Sequence, residues 1–131
     1  MVNDRISNLI VKIKNASAAR KETFTFPYSN YVGDILECLK RGGFISDYSK
    51  KGKKLIKSAE VTLAYAEDGS PKVIGTERIS KLSKRIYKGS TELRPVRNGF
   101  GMLVMSTSKG VLSDIEARKE KVGGEALFKI W

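Results

Sequence analysis

The residues at positions 106–110 carry the densest set of reactive polar groups in this chain. Ser106, Thr107 and Ser108 supply three consecutive hydroxyls, and Lys109 and Gly110 follow them directly. A hydroxyl both donates and accepts hydrogen bonds, an ammonium group is a point charge suited to phosphate, and glycine permits close backbone approach. Taken alone, such a block is an ordinary polar loop that ends a strand. As a site, it suits the binding of a polar, anionic surface.

The flanking sequence predicts the elements that hold this block. Residues 100–105 are the most apolar strand candidate in the chain, and a uniformly apolar strand is usually buried on both faces. Ser113 and Glu116 have the spacing of a capping box, in which the hydroxyl and the carboxylate each bind the other residue's backbone amide. We therefore expect a rigid central strand and a capped helix to present the block at one edge of a domain.

Composition narrows the class of partner. The chain has 131 residues and a formal net charge of +11, which favours a polyanion, with nucleic acid ahead of an anionic membrane surface. It contains no apolar run of about 18 residues, and its first residues lack the apolar core of a signal peptide. We expect a cytoplasmic protein with neither a membrane nor a small-molecule substrate as its partner.

Residue usage also argues against catalysis. The sequence has no histidine and one cysteine, Cys38, which excludes the commonest general base, Ser-His and Cys-His nucleophiles, and a cysteine-based zinc site. Cys38 lies beside an apolar helical stripe and is predicted to be a core or boundary residue. The alternative function is an RNA-processing enzyme that uses Mg²⁺ held by carboxylates. Asp114 and Glu116 are neighbouring carboxylates, but a helix start favours them for structural reasons as well. We predict a non-catalytic protein without cofactor or metal.

Hydrophobic periodicity predicts an α+β fold of two small lobes. Residues 1–66 form an N-terminal lobe with the order α-β-α-β-β, and the turn signal at 67–71 begins a C-terminal lobe, 67–131, that is mostly β with one short capped helix. The lysine-rich hairpin loop at 50–54 is either a solvated turn or a phosphate contact. In the N-terminal lobe, the predicted elements are a helix with the stripe Ile6, Leu9, Ile10 and Ile13 capped by Asn3 or Asp4, a strand at 23–26, a helix from Ser29 or Asn30 to Arg41, and hairpin strands at 44–49 and 61–65. In the C-terminal lobe, they are short strands at 72–75 and 86–87, a helical turn at 93–98 and the strand at 100–105. A helix from 113 to 120 or 121, ended by Gly123 and Gly124, and a strand at 126–131 complete that lobe.

A basic segment precedes the apolar strand. Between positions 78 and 97 there are seven basic residues against one acidic residue, Glu92, and Tyr87 lies among them. Cations neutralise phosphates and a flat ring stacks on bases, so the segment suits RNA contact. The alternative for Tyr87 is a half-buried strand residue among cations that only aid solubility. The seven are Arg78, Lys81, Lys84, Arg85, Lys88, Arg94 and Arg97.

These motifs resemble the bacterial-type small-subunit ribosomal protein S eight family. The block at 106–110, the capped helix start and the sequence Gly123-Gly124-Glu125 form the specific part of the resemblance, and Ile130-Trp131 ends it. Upstream, Arg85-Ile86-Tyr87, Pro95-Val96 and the segments at 6–9 and 13–16 are also similar to the family. Leu82-Ser83 stands where the family usually has Pro-Gly, which removes a preset turn and leaves the backbone course of 80–84 undefined.

The resemblance implies a structural constituent of the small ribosomal subunit. It implies primary binding to a stem in the central domain of 16S ribosomal RNA, assembly of the subunit platform, and neighbours such as ribosomal proteins S five and S twelve. Binding to the messenger RNA of its own operon, with repression of translation, is a further family property. The residues it implies in RNA contact, largely in the C-terminal lobe, are Ser106, Thr107, Ser108, Lys109, Gly110, Arg85, Tyr87, Lys88, Arg97, Gly123, Gly124 and Glu125.

Glu125 is the one acidic residue in this set, and its negative charge does not favour contact with RNA. An exposed carboxylate repels phosphate, so Glu125 either pairs with an arginine in a structural role or accepts a hydrogen bond from a base amino group. We favour the structural role.

Overall fold

The computed structural model describes residues 5–52, 57–81, 83–96 and 100–131. Three helices and eight strands are present in this part of the chain, which confirms the predicted α+β class. The order is α1 (Arg5–Ala18), β1 (Thr23–Pro27), α2 (Asn30–Arg41), β2 (Ile45–Lys51), β3 (Ser58–Leu63), β4 (Thr76–Arg78), β5 (Tyr87–Lys88), a 3-10 turn (Ser90–Glu92), β6 (Met102–Thr107), β7 (Gly110–Ser113), α3 (Asp114–Glu120) and β8 (Gly124–Ile130).

The first two helices form where their apolar stripes predict them. The stripe of α1 is buried, and its expected caps at positions 3 and 4 lie outside the described residues. Ser29 caps α2 by accepting a hydrogen bond from the Val32 backbone N–H at 3.2 Å. Burial raises the pKa of Cys38, on the core side of α2, to about 12, so the prediction of a core cysteine is confirmed.

The first sheet has the order β1-β3-β2 and is antiparallel throughout. Its alternating apolar residues, such as Phe24 and Phe26 on β1 and Val61 on β3, face the core. The predicted hairpin is confirmed, but its bounds differ: β2 runs on to Lys51, and β3 spans Ser58–Leu63 rather than 61–65. The tip at 53–56 lies outside the described residues.

The second sheet has the order β4-β8-β6-β7, and β5 also pairs with β8. Strand β6 is buried on both faces as predicted, because Met102 and Val104 belong to the main core while Leu103 and Met105 belong to a second apolar cluster. The predicted start of this strand is wrong. Phe100 precedes β6 and is 84% exposed, since a uniformly apolar run contains no periodicity to mark where the strand begins.

Several other boundaries in the C-terminal half differ from the prediction. The strand expected at 72–75 lies at Thr76–Arg78, and the backbone N–H groups of Ile74 and Gly75 instead bind the carbonyl of Trp131. A 3-10 turn forms at Ser90–Glu92, ahead of the turn expected at 93–98, in which residues 97 and 98 lie outside the described residues. The position of β4 depends on nonlocal pairing with the end of the chain, which the local sequence does not reveal. The 3-10 turn instead forms through local bonds between Gly89 and Glu92.

The last helix and strand also require a correction. Helix α3 has the predicted capping box and ends at Glu120, within the predicted range, but its C-cap is Lys121 in the left-handed conformation, with φ +57°, rather than the two glycines. Gly124 already belongs to β8, which begins before the expected position 126.

The two sheets share the main apolar core. It contains Leu9 and Ile35 from the first two helices together with Phe128 and Ile130 from β8. The predicted turn between the sheets is present, with Ala66 donating to the Ser70 carbonyl at 2.8 Å. The division into lobes 1–66 and 67–131 stays a prediction. No helix in the described part of the chain is long and apolar enough to cross a membrane.

Candidate nucleic-acid interface

Three neighbouring strands bring the predicted site residues together. Tyr87 on β5 lies opposite Glu125 on β8, which lies opposite Ser106 on β6. Residues opposite each other in antiparallel strands project from the same face of the sheet. Segments distant in the sequence therefore converge at one end of the second sheet. The next row consists of Lys88, Gly124 and Thr107.

The two glycines allow this close approach. A Cβ atom on Gly124 would lie 2.1 Å from the Ser106 carbonyl oxygen, and one on Gly123 would lie 2.5 Å from the Lys88 carbonyl oxygen. Both obstacles are backbone atoms, so a side chain at either position pushes neighbouring strands apart. The glycine pair thus sets the spacing of the interface.

The polar block forms the turn between β6 and β7. The Thr107 hydroxyl donates to the Gly110 carbonyl at 2.8 Å and accepts from the Lys109 backbone N–H at 3.1 Å. Gly110 has φ +105°, a conformation that favours glycine. Ser108 is exposed and Ser106 is half-buried, so the block lies at the surface rather than in the interior.

Lys109 has a protein partner at the surface. Its Nζ atom lies 2.9 Å from Oε2 of Glu120, and 53% and 52% of the two side chains are exposed. An ion pair this exposed contributes about 0–1 kcal/mol. A phosphate group can therefore replace Glu120 at small cost.

Arg85 pairs with Glu125, as the structural interpretation of that carboxylate predicted. Nη1 of Arg85 lies 3.0 Å from Oε2 of Glu125, whose side chain is only 16% exposed. The hydrogen bond to Glu125 raises the pKa of Arg85. This pairing offsets the repulsion that the carboxylate would exert on a phosphate.

Tyr87 is 68% exposed, so the interpretation of a half-buried strand residue is wrong. Its ring is open to solvent at the end of the row that continues through Glu125 and Ser106. Of the other basic residues in the segment 78–97, Lys81, Lys84 and Arg94 are exposed. Arg97 lies outside the described residues.

The buried side chain of Ser80 holds the segment at 80–86, which contains the Leu82-Ser83 pair that differs from the family pattern. The Ser80 hydroxyl accepts from the Ile86 backbone N–H at 2.9 Å and lies 3.1 Å from the Ile86 carbonyl, to which it donates. Lys81 and Lys84 exchange backbone hydrogen bonds of 2.8 and 3.0 Å. These bonds hold Lys81 and Lys84 together directly before Arg85 and β5, while Leu82 lies outside the described residues.

The sequence did not point to Tyr31, which the fold places at this interface. Tyr31 lies in the first turn of α2, is 40% exposed, and its phenol lies near enough to the Ser106 side chain to interact with it electrostatically. Burial raises the pKa of Tyr31, although Ser106 and the nearby guanidinium of Arg85 oppose the shift. An aromatic residue off the apolar stripe was the only available signal, and it does not reveal a contact with a strand so far along the chain.

The carboxylates that the Mg²⁺ alternative requires have protein partners. Oδ1 of Asp114 accepts from the Leu103 backbone N–H at 3.3 Å, and its carboxylate is buried. Glu116 binds Arg41 at 2.9 Å and closes the cap of α3. Among the described residues, no group of three or more His, Cys, Asp or Glu side chains is placed to hold a metal ion.

The fold and the surface together define a small, basic α+β protein with a polar, cationic interface at the end of its second sheet. The sequence model of the ribosomal protein S8 family matches residues 4–131, and the chain belongs to that family. The small ribosomal subunit proteins uS8 of Helicobacter pylori (strain Shi470) and Helicobacter acinonychis (strain Sheeba) are each 44% identical to it over the full length of both chains. The uS8 protein of Mycoplasma mobile is 41% identical over all of this chain and 98% of that relative. The predicted family is confirmed.

Proposed function

We propose that this protein is a structural constituent of the small ribosomal subunit that binds ribosomal RNA in the cytoplasm. Two findings support the proposal: the family match over residues 4–131, and relatives whose names place them in the small subunit. The observation that carries the RNA-binding part is the register of β5, β8 and β6, which aligns Tyr87, Glu125 and Ser106 in one row.

The chemistry of this row suits the handles that a folded RNA offers. Side chains cannot read the deep major groove of an RNA helix, so recognition uses phosphates, 2′-hydroxyls and unstacked bases. The hydroxyls of Ser106 and Ser108 can bind 2′-hydroxyls and base edges, and Lys109 can bind a phosphate. The exposed Tyr87 ring can stack on a base or a sugar.

Glu125 has a second use beside its ion pair with Arg85. With one oxygen held by the guanidinium, the other remains an acceptor for a base amino group, and a carboxylate accepts several hydrogen bonds at once. The two interpretations of Glu125 are therefore compatible in this arrangement.

The finer proposal follows the family resemblance. The bound RNA is a stem in the central domain of 16S ribosomal RNA, the bound protein helps to assemble the platform, and ribosomal proteins S five and S twelve are neighbours. The messenger RNA of the protein's own operon is a second RNA target. We further propose that contacts come chiefly from the lobe 67–131, with Tyr31 as a contribution from the lobe 1–66.

Footprinting of the purified protein on total small-subunit RNA tests the proposal. We expect protection of one stem in the central domain, and a linear fall of log affinity with log salt concentration whose slope reports the phosphates contacted. Absent or scattered protection would refute specific binding. Incubation of the same RNA with and without Mg²⁺ tests the non-catalytic assignment, for which we expect no cleavage in either case.

A further inference from the structure

Arg41, the last residue of α2, links the N-terminal half of the chain to the hairpin that carries the polar block. Its Nε donates to Oε2 of Glu116 at 2.9 Å, and its Nη2 lies 3.2 Å from Oε1 of the same carboxylate. Nη2 also donates to the backbone carbonyl of Val111 on β7 at 3.2 Å. One guanidinium therefore holds a strand and a helix that lie some seventy residues further along the chain.

The carboxylate that Arg41 binds is itself fixed in place. Oε1 of Glu116 accepts from the Ser113 backbone N–H at 3.0 Å, and the Glu116 N–H donates to Oγ of Ser113 at 3.2 Å. Because this capping box closes the start of α3, Glu116 cannot follow a moving arginine. Arg41, Glu116 and the backbone of β7 form a rigid three-way junction, which we call the Arg41 junction.

The Arg41 junction lies one residue from the candidate RNA-binding turn. Val111 is opposite Ser106 in the β6–β7 hairpin, and Gly110 is opposite Thr107. Strand β7 is at the edge of its sheet, with β6 as its paired neighbour. An edge strand has hydrogen-bonded support on one side only, so a contact from another element restricts its movement.

We infer that Arg41 is a positioning residue of the RNA interface: it holds β7, and through it the turn at 106–110, in the geometry that RNA contacts. This inference rests on the proposed function. A turn that is ordered before binding loses less conformational entropy when RNA binds. The guanidinium is hydrogen-bonded to Glu116 and Val111. It therefore affects RNA binding through the β6–β7 hairpin rather than by direct contact with a phosphate.

The test compares variants for which the positioning of β7 and the net charge of the protein predict opposite changes in RNA affinity. Glu116→Gln keeps the capping box, because glutamine also closes it, but it weakens the bond to Arg41. This variant also raises the net charge by one above +11, so simple electrostatics predicts tighter RNA binding. The positioning role predicts weaker binding, by roughly tenfold if about 1.4 kcal/mol of pre-organisation is lost.

Variants of Arg41 complete the comparison. Arg41→Met and Arg41→Lys are both expected to bind RNA more weakly, because lysine restores the charge but not the planar fork. Lys40→Met is the matched control: it removes one charge from the same end of α2, where Lys40 pairs with Asp47 at 3.2 Å, and leaves β7 untouched. The double variant Arg41→Met/Glu116→Gln should bind no more weakly than Arg41→Met alone.

Hydrogen exchange provides a readout that does not depend on RNA. We expect faster exchange of the amides at 110–113 in Arg41→Met and Glu116→Gln, and wild-type exchange there in Lys40→Met. The inference is overturned if Glu116→Gln binds RNA as tightly as the wild type, or if Arg41→Lys restores full affinity. If the wild-type protein binds no ribosomal RNA at all, that result refutes the proposed function, and with it the inference that depends on it.

Discussion

The three hydroxyls of the 106–110 turn have different duties, although they are adjacent in the sequence. Thr107 both donates and accepts within the turn, and Ser106 lies near the Tyr31 phenol. The side chain of Ser108 is exposed at the tip. The turn therefore contains one residue whose hydrogen bonds shape it, one that lies near α2, and one whose side chain faces solvent.

Paired substitutions of Thr107 and Ser108 separate these duties. Thr107→Val removes two hydrogen bonds and should lower the free energy of unfolding by about 1 kcal/mol, whereas Ser108→Ala should change it by less than about 0.5 kcal/mol. Ser108→Ala should nevertheless weaken RNA binding by about 1 kcal/mol, through one lost hydrogen bond. Urea unfolding and RNA titration measure the two effects. Wild-type RNA affinity in Ser108→Ala would contradict a direct contact.

Tyr87 gives a second prediction at the residue scale. Because its ring is 68% exposed and packs little against the protein, Tyr87→Ala should leave the free energy of unfolding within about 0.5 kcal/mol of the wild type. If the ring stacks on RNA, the same change should weaken binding by about 1–3 kcal/mol, and Tyr87→Phe should retain most of the affinity. Equal affinity of Tyr87→Ala and the wild type would show that the ring does not stack.

At the scale of the elements, the interface depends on how closely β8 approaches its neighbours. Strand β8 lies between β5 and β6. Gly124, at its start, approaches the backbone of β6, and the preceding Gly123 approaches the backbone of Lys88 and Gly89. Beyond that contact, a bulge shifts the register of β8 against β6 between Val104 and Met105. The row of Tyr87, Glu125 and Ser106 is therefore a consequence of strand spacing and not of local sequence.

Gly124→Ala tests this dependence. The added Cβ would meet the Ser106 carbonyl oxygen at 2.1 Å, and this β6 backbone cannot yield without moving away from β8. We expect the free energy of unfolding to fall by about 2–3 kcal/mol, with a loss of RNA affinity. Gly89→Ala is the control, since its Cβ would meet only the flexible end of Glu92 at 3.3 Å. Similar stabilities of the two variants would contradict the spacing argument.

Local signals explain which elements the sequence predicts well. The apolar stripes of the first two helices, the Ser29 cap and the capping box of Ser113 and Glu116 each depend on residues within two turns, and each is present. The hairpin of β2 and β3 also forms from adjacent segments. Such signals need no knowledge of the rest of the fold.

Nonlocal contacts explain what the sequence did not reveal. The position of β4 depends on its pairing with β8, and the start of β6 is hidden in an unbroken apolar run. The approach of Tyr31 to Ser106 joins a helix to a strand at the other end of the chain. The motif of the polar block was visible in the sequence, but its neighbours depended on strand register.

At the scale of the whole molecule, charge and packing connect the two halves in different ways. The shared apolar core joins the two sheets, and the Arg41 junction adds a polar link at the surface between them. The excess of 25 basic over 14 acidic residues favours RNA association but makes the compact state repel itself. Acid increases this repulsion because it neutralises the carboxylates that hold basic side chains in place.

Glu116 makes the acid response of the molecule testable. Burial raises the pKa of this carboxyl, but the bonds from Arg41 and from Ser113 outweigh burial and lower the pKa below its ordinary value of 4.5. A carboxyl with a lowered pKa in the folded state stabilises the fold above its unfolded pKa, and this contribution is lost as the pH falls through the folded value. Wild type should therefore exceed Glu116→Gln in free energy of unfolding at pH 7, and the difference should shrink steadily below about pH 4.5. Urea unfolding of both proteins between pH 7 and pH 3 measures this difference, and a gap that stays constant over that range would show that the ionised carboxylate does not stabilise the junction.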